Sequence, residues 1–222
     1  MNRFDTTDDP RRRLLIQALA AGVFSNLGLR GKALAATEKL IFRITGSVTV
    51  NDQPARPDTP IGPNAKLSTE KNGELIAILG KIAIILRADS ELVLGNQVAD
   101  LRLVKGNLLA AAAPGSYRIE THIAAILQHG RDDKMGVGFY VESYEKLTYF
   151  CTCYGVSEIS LKNDLDAKLV IIPSQHHDRP VNIYGGPARK NRIQDATFKN
   201  HTDEELKLIG ELIGHIPPFM TG

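Results

Sequence analysis

The chain has two cysteines, Cys151 and Cys153, held one residue apart in the stretch "YFCTCYG". On a β-strand, alternate side chains share a face, so both thiols would point the same way. Their Cα atoms would lie about 6.6 Å apart at the usual rise per residue. That spacing is near the upper limit for a disulfide, and a bond there would be strained and easily reduced. Three chemistries stay open: a redox-labile disulfide, a soft-metal or cofactor site built on two thiolates, or two unrelated structural roles. An oxidising compartment disfavours the last, because idle free thiols are uncommon there.

Histidines supply the natural partners. His176 and His177 are adjacent in "SQHHDRP", and His201 precedes the last amphipathic stretch. Imidazole combined with thiolate suits iron, copper or zinc. Cys151, Cys153, His176, His177 and His201 are therefore the expected metal ligands, and the identity of the metal stays open. The spacing is not a paired C-x-x-C pattern, and the His-His stretch also reads as a plain polar loop. His122 and His129 lie inside β-like runs, where a lone histidine is usually structural. His215 would sit near a helix C-terminus, where a charged imidazole favours the dipole. No G-x-S-x-G, H-E-x-x-H or Walker-type loop is present. Cys153 and His177 could pair as nucleophile and base, but nothing supplies a third member. No catalytic residue is assigned, and enzyme activity is not expected.

The elements that must position these residues are mostly strands. From Leu40 to about Ile172, short Ile-, Val- and Leu-rich runs alternate with turn residues. Roughly ten to twelve short strands predict a mainly β barrel, sandwich or roll. The proline-rich "DQPARPDTPIGPN" cannot be a central strand. "AKLVIIPS" closes the strand series, and the stretch from Ser174 to Asn200 reads as loop. A helix is expected from Thr202 to about Gly214. Thr202 and Glu205 form a capping box, and Leu206, Ile209, Leu212 and Ile213 make one apolar stripe. Pro217-Pro218 forbids its continuation, and Phe219 is placed to dock on the β domain.

The first 35 residues have the layout of an export signal. Arg11, Arg12 and Arg13 end a charged region, and a diluted apolar stretch runs from Leu14 to Leu29. Ala33 and Ala35 then offer an A-x-A cleavage site. Arg11-Arg12 followed by Leu14-Leu15 resembles the twin-arginine signal, with Pro10 a departure from its usual polar residue. An uncleaved signal would instead act as an anchor. Cleavage would remove six of the 27 basic and three of the 25 acidic side chains, leaving a net charge of about −1. No basic patch then argues for nucleic acid, and no later stretch is long enough to span a bilayer. The expected location is the periplasm or another exported compartment.

From about Leu40 to Ser160 the succession "GSVTV", "SELVL", "DLRLVKGNLLA", "RIETHIAAILQHG", "VGFYVE" and "TYFCTCYGVSEIS" resembles the FecR domain. Gly46 and Val48 match that family's opening strand, and Leu67-Ser68-Thr69 stands at its first turn. Ser90, Leu92 and Leu94, then Leu101, Leu103 and Gly106, match its central strands. Ile119 with Thr121, and Phe139 with Val141, match its later pair. His122 stands where the family has proline, and Gly136-Val137 where it has Gly-Thr. The resemblance implies a periplasmic β domain at 40–160 used for binding, sensing or regulation. It implies a protein partner in the cell envelope and a link to iron or envelope signalling. The known members join such a domain to a cytoplasmic segment through a membrane helix, so their sigma-regulating mechanism does not transfer intact. Residues 161–222 would then form a C-terminal extension of loop and terminal helix.

Overall fold

Two strands are far longer than the rest, and each carries a glycine where it leaves one sheet for another. The computed structural model describes residues 39–97, 99–162, 164, 168–186 and 191–220. The stretch expected to be an export signal, with Arg11, Arg12, Ala33 and Ala35, lies outside them. Fifteen strands are found among the described residues. They are β1 (Lys39–Thr45), β2 (Val48–Val50), β3 (Gln53–Pro54), β4 (Lys66–Thr69), β5 (Glu74–Leu79), β6 (Ile82–Leu86) and β7 (Glu91–Leu94). The series continues with β8 (Asp100–Ala112), β9 (Ser116–Glu120), β10 (Ala124–His129), β11 (Val137–Ser143) and β12 (Leu147–Leu161). β13 (Val170–Ser174), β14 (Val181–Tyr184) and β15 (Ile193–Asp195) complete it. One helix, α1 (Asp203–Leu212), follows, and a short 3-10 turn covers Pro218–Met220.

The long strands β8 and β12 are the hubs. The first part of β8 pairs with β7 and β9, and the part from Gly106 onward pairs with β6 and β11. Likewise β12 pairs with β11 and β14 up to Tyr154, then with β10 and β13. The path β8–β9–β10–β12–β11 returns to β8, so these strands close into a barrel. Gly106 and Gly155 sit at the changeovers with φ of +86° and +106°. Bends of this kind let one strand serve two sheets. A Cβ on Gly106 would lie 2.5 Å from Ser90 Cα, so the corner accepts no side chain there.

The fold is mainly β, as the alternation of the sequence predicts. The interior is packed by Leu101, Leu103, Ile119, Ile126, Phe139, Val141, Phe150 and Ile159, all buried. Every apolar position of the FecR-like motifs that lies on β7, β8, β9 or β11 faces this interior. The stretch after Ser174, read as loop, adds two short strands, β14 and β15, at the edge of β12. At three or four residues each, they are too short for alternation to register as a pattern.

Phe150 points into the barrel, so Tyr149, Cys151 and Cys153 point out on the opposite face. Outward-facing positions of an ordinary barrel meet water. Here the C-terminal segment covers them. α1 lies across β6 and β8, burying Leu206 and Ile209. Its capping box forms as the sequence predicts: Thr202 Oγ1 accepts from the Glu205 amide, and Glu205 accepts from the Thr202 amide. Glu205 also takes the buried Arg87 guanidinium at 2.9 Å, which ties the first turn to the sheet. Among the described residues, no helix is long and apolar enough to cross a membrane.

Candidate metal centre

Three chain segments meet over the outer face of β12. The strand supplies Cys151 and Cys153, both wholly buried and both free thiols. The turn after β13 supplies His177. Its backbone adopts φ +55°, and its amide donates to the Cys153 carbonyl at 2.9 Å, fixing the turn against the strand. The residue before the N-cap of α1 supplies His201, which is only 2% exposed.

His201 is held from several sides. Its ring stacks on Tyr140, with centroids 4.6 Å apart. Tyr140 is the direct cross-strand neighbour of Cys151. The preceding residues converge on buried Glu142. Lys199 Nζ donates to it at 2.7 Å, the Asn200 amide at 2.6 Å and the Tyr140 hydroxyl at 2.9 Å. Burial alone would raise the Glu142 carboxyl. The bonds from Lys199 and Asn200, the Lys199 charge and the Tyr140 bond outweigh it, so its pKa is lowered.

The donor atoms converge. Cys151 Sγ lies 3.4 Å from His177 Nδ1, and Cys153 Sγ lies 3.4 Å from His201 Nε2. The two ring nitrogens are 3.2 Å apart. All four atoms fall within 4.8 Å of one another. A tetrahedral zinc ion spaces its ligands about 3.3 Å apart for N···N, about 3.6 Å for S···N and about 3.8 Å for S···S, given its bond lengths. The N···N contact and the two S···N contacts above are within a few tenths of an ångström of those edges.

Outer partners decide which nitrogens are bare. His201 Nδ1 faces the Lys199 carbonyl at 2.8 Å, so that nitrogen carries the proton and Nε2 offers a lone pair. His177 Nε2 faces the Asp203 carboxylate at 3.0 Å, so it too carries a proton. Carbonyl and carboxylate partners of this kind are what fix metal-ligating imidazoles. Two bare nitrogens facing each other repel unless a proton or a cation lies between them. In the metal-free protein a proton can serve. Burial pulls the His177 pKa down, but the bond and charge of Cys151, with Asp203 behind, raise it overall. Burial pushes the Cys151 thiol up, and hydrogen bonds from Cys153, His177 and His201 more than reverse this, holding it well below the ordinary thiol value. Cys153 is raised by burial and by the neighbouring Cys151.

Of the five residues expected as ligands, the fold brings Cys151, Cys153, His177 and His201 to one point. His176 faces the other way: its Nε2 meets both oxygens of Asp203, at 3.0 and 2.9 Å. Asp203 is the residue the sequence hid, because an acid in the first turn of a helix reads as a dipole partner. His129 bonds Glu158 and the Gly130 carbonyl, and His122 bonds the Glu145 carbonyl, and neither joins the converging donors. His215 departs from its expected role. It lies beyond the last helical residue, and Nε2 accepts from the Gly136 amide at 3.1 Å; burial lowers its pKa, so it acts as a neutral acceptor. Phe219 docks as expected, stacking on His176 at 4.1 Å and edge-on to Tyr154.

No protein-family model matches the chain, and no curated protein does. Among solved structures, two crystal structures of a "putative anti-sigma factor" from Parabacteroides distasonis are similar to it. Each has 12% identity and a TM-score of 0.45, over 67% of this chain. The match spans 64% and 65% of those chains, just under two thirds of their length.

Proposed function

We propose that the chain is an exported, non-enzymatic binding or regulatory module of FecR-like type that carries one Cys2His2 metal centre. Zinc fits that centre best. One observation carries the metal reading: four N and S donors from three segments converge within 4.8 Å of one another, with the far nitrogen of each imidazole pinned. All four positions of a tetrahedral ion would be filled by protein, with no open position for a substrate or water, which is the pattern of a structural rather than a catalytic site. The ion would staple the His177 turn and the start of α1 to β12.

The FecR-like reading rests on the order of the sequence motifs. Their placement on strands and at the Gly106 corner supports that reading. Export rests on the tripartite N-terminal signal. The proposed partner is a protein of the cell envelope.

Metal analysis of the full chain purified from the periplasm tests the centre. The wild type should retain about one zinc per chain through dialysis, and Cys151→Ser should lose it. Metal-free wild type with an intact fold would overturn the reading, as would a Cys151–Cys153 disulfide in the isolated protein.

A further inference from the structure

The buried centre has no solvent-exposed ligand, so an ion needs a route to it. Exposure rises in steps along one chain of hydrogen bonds. Cys151 and Cys153 are fully buried, the His177 side chain is 8% exposed, Asp203 34% and His176 48%. His177 Nδ1 faces the Cys151 sulfur, while its Nε2 faces Asp203 Oδ1. Asp203 in turn holds His176 Nε2. His176 Nε2, His177 Nε2 and an Asp203 oxygen form a second convergent group, again within 4.8 Å of one another. Phe219 stacks on His176 and braces it at the surface.

This second group differs in kind from the first. It offers two imidazoles and one carboxylate, no thiolate, and a face open to water. Such an N/O set binds borderline divalent ions such as zinc or cobalt, and the open positions let water compete. A weak, open site beside a tight, closed one suits capture rather than storage. The two sites share His177, so an ion that displaces the Nε2 proton facing Asp203, released to water, lies one ring away from the thiolates.

We propose that His176 and Asp203, with His177 Nε2, form an entry site that captures a divalent transition-metal ion and delivers it to the buried centre. The inference rests on the Cys2His2 reading above. His176 is a ligand of the incoming ion and not of the resident one.

An entry residue changes rates without changing the end state. The probe is cobalt(II) added to metal-free protein, followed by stopped-flow through its thiolate charge-transfer absorbance. His176→Ala should slow loading by about tenfold or more, the range by which a local charged funnel alters on-rates. Release to an excess of chelator should slow by the same factor, and the equilibrium affinity should stay within about twofold, because forward and reverse paths share one gate. Free imidazole should restore part of the loading rate. Unchanged loading in His176→Ala, with the cobalt band present, overturns the entry site and leaves the buried centre standing. A loss of affinity matching the loss of loading rate overturns it too, since His176 would then support the resident ion. Absence of the thiolate band in the wild type removes the buried centre and the entry site together.

Discussion

Removing the Asp203 carboxylate isolates the part of the centre that sets imidazole protonation. In Asp203→Ala, His177 loses the acceptor that holds a proton on Nε2 at 3.0 Å. A neutral imidazole then divides between two tautomers, and only one leaves Nδ1 bare toward Cys151. Loss of such a second-layer partner costs about 10- to 100-fold in metal affinity. Asp203 is one-third exposed, and water can replace part of its role, so the low end applies: about tenfold, or about 1.4 kcal/mol. The same change removes an acid from the first turn of α1, which weakens the helix by about 0.3–1 kcal/mol whether or not metal is present. The assay is therefore a chelator-competition titration with zinc, run beside urea unfolding of the metal-free protein. Asp203→Asn keeps an acceptor for the Nε2 proton and should lose less affinity than Asp203→Ala. Unchanged affinity in Asp203→Ala would refute the reasoning, and so would a loss fully accounted for by metal-free stability.

Other outcomes follow from the ties that hold the C-terminal segment. Glu205→Ala breaks the capping box and strips the 13%-exposed Arg87 side chain of its nearest carboxylate, leaving Glu74 at 4.0 Å. Urea unfolding of the metal-free protein should show a loss of about 3 kcal/mol, the low end for orphaning a buried charge. Glu142 has a lowered pKa in the folded state, so its contribution is full above the unfolded carboxylate value and is lost as pH falls through the lower folded value. Glu142→Gln should therefore be less stable than wild type at neutral pH, and the two unfolding curves should converge in acid. Parallel curves down to about pH 2 would contradict the role given to Glu142.

Much of the scaffold was legible in the sequence because its forces are local. Alternation in "DLRLVKGNLLAA" and "VGFYVE" encodes which side chains enter the barrel, and T-x-x-E encodes where α1 starts. Two residues of the same parity on β12, Cys151 and Cys153, had to share a face. Which face they shared was also decided locally, by Phe150, the residue just before them and of opposite parity, being a core aromatic. What covers that face was not local. His201 reaches Cys153 across 48 residues, and Asp203 reaches His176 across 27. Both contacts depend on the path of the segment after β15, and no periodicity describes that path. β14 and β15 were hidden for a related reason, since their pairing comes from a neighbour in space.

The cysteine pair also illustrates why residue type alone left three chemistries open. A strand explains why a relaxed disulfide is disfavoured, but only the third and fourth donors separate a metal centre from two structural thiols. Those donors come with their own partners, the Lys199 carbonyl and the Asp203 carboxylate. A histidine packed only for shape would not need both of its nitrogens committed.

X-ray absorption at the zinc edge, on the full chain loaded with one equivalent, reads the ligand set directly. The expected first shell is two sulfurs at about 2.3 Å and two nitrogens at about 2.0–2.1 Å, with multiple-scattering features from two imidazoles. A shell of nitrogen and oxygen only, or one with a single sulfur, would contradict the Cys2His2 centre.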